Sequence, residues 1–114
     1  MKEFVIVSPR FCKAASVFID VYAITLLPFI VCKEKMSDVS LNHERIHLKQ
    51  QKELWLLGFY FLYMLYWMRF LVEGMTRGQA YRAIPFEAEA YDNQNNLNYL
   101  ESRKKHAWKK YIRT

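Results

Sequence analysis

The sequence predicts one mainly α-helical domain with a small β element, an α+β arrangement in which short strands come first and helices follow. Three observations predict it. The chain has 114 residues, enough for one domain and too few for two ordinary ones. Hydrophobic residues make up 53% and charged residues 25%, a balance that excludes a disordered chain. Three glycines and three prolines are too few breakers for an all-β sandwich or barrel. Residues 1–114 therefore read as a single domain, with a basic tail from about residue 101.

Phe4-Val5-Ile6-Val7 reads as a short strand stopped by Ser8-Pro9. Residues 14–32 are mostly apolar but divided by Asp20 and Pro28. Tyr22 to Cys32, rich in β-branched and aromatic side chains, reads as a strand with Pro28 at an edge or bulge; a short membrane-dipping segment is the competing reading. Residues 33–38 form a polar turn, with Asp38 or Ser40 as the cap of the next helix. From about Leu41 that helix is predicted to be long, and its first half carries His43, Glu44, His47, Gln50, Gln51 and Glu53. Its second half, Leu54 to Met68, has no charged residue, and after Arg69 the apolar run resumes with Phe70-Leu71-Val72. As a helix, residues 54–72 extend roughly 28 Å, close to a hydrocarbon core. Trp55, Tyr66 and Trp67 near its ends suit an interfacial aromatic belt. A fully buried core helix is the alternative, though so small a domain offers little volume to surround one. Residues 73–78 read as a turn. Ile84-Pro85-Phe86-Glu87 opens a final helix, with proline and acid suited to its first turn, and Phe86, Ala90, Asn93, Leu97 and Leu100 form a narrow stripe facing a partner.

The net charge of +6 is concentrated in residues 93–114, which carry six basic residues against one acidic. There, cations from Arg103 to Arg113 interleave with Trp108, Tyr111 and Ile112. Such a segment suits an anionic lipid leaflet. Nucleic acid is the weaker reading, because no nucleic-acid motif accompanies the charge. The four apolar residues before Ser8 are too few for a signal peptide, and Cys12 and Cys32 form neither a CxxC nor a disulfide framework. The expected location is the cytoplasmic side of an inner membrane, held there by residues 54–72 and the tail.

His43-Glu44-Arg45-Ile46-His47 is an HExxH motif. Two histidines four apart on a helix share a face one turn apart, so both imidazoles can reach one zinc ion, with the intervening glutamate placed as a base. The plain alternative is a solvated helix that happens to carry two histidines. Against it, the motif opens a helix after a turn, holds two of the chain's three histidines, and is followed by acidic candidates on a second helix. His106, alone in the tail, has no role.

Downstream, Phe86-Glu87-Ala88-Glu89-Ala90-Tyr91 pairs with the motif in a way that resembles gluzincin metallopeptidases, in which a glutamate on a second helix completes the zinc site. The compact arrangement looks like minigluzincins, and the E-x-E-A run is similar to that of the membrane-embedded CAAX prenyl endopeptidases. Asn42 to Glu53 followed by Phe86 to Tyr91 also resembles a set of short uncharacterised bacterial proteins. The resemblance spans about residues 23–92. It implies a zincin-like active-site helix and a glutamate helix, Zn2+ held by His43, His47 and Glu87, and Glu44 as general base. Glu87 is the implied ligand because the family uses the first glutamate of the run. Four residues later the family has an aspartate that orients a ligand histidine; here Tyr91 stands, as a group for a developing oxyanion or as packing. Glu89 is expected to be a solvated first-turn charge, with ligation as its alternative role. Gln50 and Gln51, on the ligand face, are expected to be part of a solvated helix face, with hydrogen bonding to ligand or substrate as their alternative role. The implied function is a membrane-associated peptidase that hydrolyses a peptide or protein by zinc-bound water, its substrate lying along an edge strand such as residues 22–32. The alternative is a non-catalytic membrane-surface protein with a structural or vestigial zinc site.

Overall fold

The protein, described by a computed structural model for residues 4–7, 23–26, 29–32 and 37–112, is mainly helical with a small β element. Three four-residue strands, β1 (Phe4–Val7), β2 (Ala23–Leu26) and β3 (Phe29–Cys32), form a sheet in the order β1-β3-β2. β1 runs parallel to β3, and β2 runs antiparallel to it, with Leu26 opposite Phe29. The segment 22–32, expected as one strand, is thus two strands paired with each other. Only two residues separate them, the shortest common hairpin connection. Pro9, Asp20, Pro28 and the turn at 33–36 lie outside the described residues. β2, at a sheet edge, packs against α1 (Asp38–Val72).

α1 starts at Asp38. Its N-cap is Ser37, whose hydroxyl accepts the Ser40 N–H at 3.2 Å, so neither Asp38 nor Ser40 is the cap. The helix is not continuous. At Trp55, φ is 59° and ψ is 145°, which divides α1 into a first arm, 38–54, and a second arm, 56–72. His47 Nε2 and the Tyr63 hydroxyl both reach the Glu87 carboxylate, at 3.1 and 2.8 Å, whereas an unbroken helix would hold them about 24 Å apart. The chain doubles back at Trp55 and lays the second arm against the first.

This reversal changes the part played by the apolar segment. By length and composition α1 is the one helix among the described residues able to cross a membrane, but the break interrupts it. One side of the second arm is core. Phe59 packs with Ile84, Phe86 and Trp108, and Phe70 packs with Ala80 and Ala83. Tyr66 and Trp67, expected in an interfacial belt, are partly buried against these clusters.

The turn expected over 73–78 is shorter, because a helix, α2 (Arg77–Ala83), begins within it. Thr76 and Gln79 form a capping box that satisfies the first backbone donors. α3 (Pro85–Asn93) starts as predicted, with Pro85 in its first turn. It ends earlier than expected: Leu97 is exposed, and Leu100 belongs to a separate turn, α4 (Tyr99–Ser102). The Asn42 amide donates to the carbonyls of Gln94 and Asn96, at 2.8 and 3.0 Å, and so satisfies the carbonyls just beyond the helix end.

The tail is not a free cationic arm. A 3-10 turn (Ala107–Tyr111) carries Trp108 into the core, 4.8 Å ring to ring from Phe86. Arg103 is buried between Glu53 and Glu89. Breaking a buried ion pair by removing one partner costs about 3–5 kcal/mol. Arg103→Ala, which strands two buried carboxylates, is expected to destabilise the fold by about that much in urea unfolding.

Candidate metal centre

The first arm of α1 presents His43 and His47 on one face, as their spacing requires, and α3 brings Glu87 against them. His43 Nε2, His47 Nε2 and Glu87 Oε1 lie 3.1 Å from one another on all three sides. Ligand atoms about 2.0–2.1 Å from a tetrahedral zinc are separated by roughly 3.3 Å, so the triangle has the dimensions that such an ion demands. His43, Glu44 and His47 themselves form a group close enough to hold a metal ion. Glu44 Oε2 lies 3.7 Å from His43 Nε2, at the margin of the triangle. All four side chains are nearly buried, from 3 to 8% exposed.

The remaining atoms of the triad are also held. His43 Nδ1 faces Gln94 Oε1 at 2.8 Å, and His47 Nδ1 faces Gln50 Oε1 at 2.8 Å. The orientation of Gln50 is forced. Its Nε2 donates to the Phe86 carbonyl and to Glu89 Oε1, at 3.0 and 2.9 Å, both pure acceptors, so its oxygen must face His47. His47 Nδ1 therefore carries a hydrogen, which makes Nε2 the ring nitrogen available to a metal ion. Tyr63 donates to Glu87 Oε2, which leaves Oε1 for the histidines.

Of the predicted site residues, His43, Glu44, His47 and Glu87 come together. Glu89 does not join them. It is fully buried, not solvated, and accepts from Arg103, the Tyr99 hydroxyl and Gln50. Burial opposes its ionisation, but these donors hold its pKa below the ordinary carboxylate value. Gln51 is buried, and its amide N–H points to the Tyr60 hydroxyl at 3.4 Å. The Tyr91 ring packs edge-on to His43 at 4.5 Å beneath the Arg82 guanidinium, and its hydroxyl is paired with that of Tyr81. Burial raises the pKa of both tyrosines.

Gln94 and Tyr63 complete the site although sequence reasoning does not single them out. Gln94 stands seven residues after Glu87 and shares its helix face, a signal that periodicity offered. Tyr63 had none, because only the reversal at Trp55 brings it to the site.

No protein family matches the chain, no curated protein is similar to it, and no solved structure resembles it.

Without a metal ion, two imidazoles and a carboxylate this close must share protons. Burial disfavours the charged form of His47, but the Glu87 carboxylate outweighs it and pushes the pKa from 6.5 up to about 9. Burial likewise disfavours ionised Glu87, and the two histidines reverse this, holding it well below its ordinary 4.5. A raised histidine pKa contributes stability that is complete below the unfolded value and disappears as pH rises through the folded one. The Tm of chelator-treated protein should therefore fall between pH 6.5 and about 9. Thermal melts across that range check it, and a His47→Gln variant should lack that fall.

Proposed function

We propose that the chain is a membrane-associated, zinc-dependent peptidase of gluzincin type, with His43, His47 and Glu87 as the metal ligands and Glu44 as the general base. The observation that carries this reading is the triangle of Nε2, Nε2 and Oε1 atoms with 3.1 Å sides. Two imidazoles and one carboxylate are the donor set of catalytic zinc sites, which keep a position open for water or substrate. A bound zinc would supply a Lewis acid that polarises the scissile carbonyl and makes water acidic enough to ionise near neutral pH.

The chain's own residues do the rest. Glu44 takes a proton as water oxygen adds to the carbonyl carbon, then gives it to the amine nitrogen as the C–N bond breaks. Gln50 and Gln94 keep both histidines in the tautomer that presents Nε2. Tyr63 holds Glu87 by its second oxygen. β2, an edge strand packed on the motif helix, offers backbone groups to an extended peptide. Association with the cytoplasmic face of a membrane is part of the same proposal, supported by the apolar second arm of α1.

A second reading has one observation in its favour. The near-complete burial of the triad suits a closed, structural zinc site on a non-catalytic membrane-surface protein. Glu44→Gln separates the two. Purified wild type and variant should each hold about one zinc by elemental analysis, while peptidase activity on a denatured protein substrate falls by about a hundredfold or more in the variant. Absence of zinc from wild type would sink both readings; equal activity of the two proteins would assign the hydrolysis to a contaminant.

The contact between Gln50 and His47 has a direct test. Gln50→Leu removes the acceptor for His47 Nδ1, and loss of such a partner typically weakens metal affinity about 10–100-fold. Competition with a chromogenic chelator is expected to show that loss, with a smaller effect for Gln51→Leu.

A further inference from the structure

The second arm of α1 is apolar on two sides. Phe59, Tyr63, Tyr66 and Phe70 face the core. Leu57, Phe61, Met64, Leu65, Met68 and Val72 are 47–89% exposed. At helical spacing these six fall within an arc of about 100° and extend about 22 Å along the axis. No charged side chain stands inside that arc. A soluble monomer rarely leaves a contiguous apolar patch of more than a few hundred Å² uncovered.

The patch begins at the bend, where the Trp55 side chain is 84% exposed on a backbone with φ 59°. That conformation suits glycine, and a tryptophan there costs stability while adding little to the core. The cost is explained if the indole is displayed to a partner. Beside it, a groove of about 500 Å³ is lined by Lys49, Lys52 and Lys105. Glu53 and Arg103, also in its wall, pair with each other, so the lysines set its charge.

We propose that the protein docks on an anionic phospholipid surface through the exposed face of residues 57–72, lying in the plane of the interface and not spanning the bilayer. Trp55 seats at headgroup level, where indoles are favoured, and Lys49, Lys52 and Lys105 meet the lipid phosphates. A second copy of the chain would cover the apolar face but would bring another positive groove; an anionic membrane supplies apolar cover and negative charge together. The proposal deepens the membrane association inferred above. Tyr63, which holds Glu87, lies about 150° around the arm from the centre of the patch, so docking turns the metal centre away from the lipid. Only this consequence rests on the peptidase reading: substrates would be peptide segments reached from the aqueous side, not transmembrane segments.

The test uses the full chain, with vesicles of phosphatidylcholine alone or mixed with phosphatidylglycerol. Wild type is expected to sediment with the mixed vesicles and about tenfold less with the neutral ones. Phe61→Glu/Met68→Glu and Trp55→Gly, all at exposed positions, should lose binding by about tenfold or more while keeping the metal content of wild type, with the thermal melt unchanged in the double variant and no lower in Trp55→Gly. Equal vesicle binding by wild type and the double variant would overturn the proposal. So would a wild-type dimer that the double variant converts to monomer without either binding vesicles, which would assign the patch to a second copy. Zinc measured in the same samples keeps the two proposals apart: vesicle binding without zinc leaves docking standing and removes the peptidase, and zinc without vesicle binding does the reverse.

Discussion

A carboxylate buried among imidazoles is the contact on which the rest of the arrangement depends. Glu87 is 3% exposed, and an isolated buried carboxylate would cost several kcal/mol. It is tolerated because His43 and His47 approach one oxygen and Tyr63 the other. Those partners come from both arms of α1, while Glu87 comes from α3. Satisfying one charge thus requires that three helical segments converge. The core shares that convergence, since Phe59 and Phe86 meet at 4.7 Å directly behind it.

Around this centre lies a second layer of buried charge. Arg103 bridges Glu53 of the motif helix and Glu89 of the glutamate helix, and Glu89 in turn fixes Gln50, which fixes His47. The C-terminal segment is therefore connected to the His47 imidazole through a chain of acceptors and donors. A carboxylate in the place of Tyr91 would have been one way to orient a histidine; amide oxygens from Gln50 and Gln94 do it here without adding negative charge beside Glu87.

The reversal at Trp55 separates two uses of one apolar helix. Inward, aromatic rings fill the space behind the site; outward, Leu57 to Val72 present an apolar face. A helix apolar all round needs cover on all sides, and the described residues supply it on one.

Several features were determined by the sequence alone. HExxH spacing places two imidazoles on one face of any helix, Pro85 and Glu87 mark the start of α3, and composition points to a mainly helical fold with a small β element. These are local, and local periodicity carries them. The tertiary structure decided the rest. A break at a tryptophan, where sequence rules look for glycine or proline, turned an apparent continuous helix into two packed arms and brought Tyr63 to the site. Glu89 and Arg103 looked like surface charges because each is solvated in isolation; they are buried because each finds the other some fourteen residues away. Gln94 became a partner of His43 only once α3 lay across the motif helix. Pairings between distant residues depend on how elements pack, and nothing in the order of residues along the chain encodes that packing in a form that can be read one segment at a time.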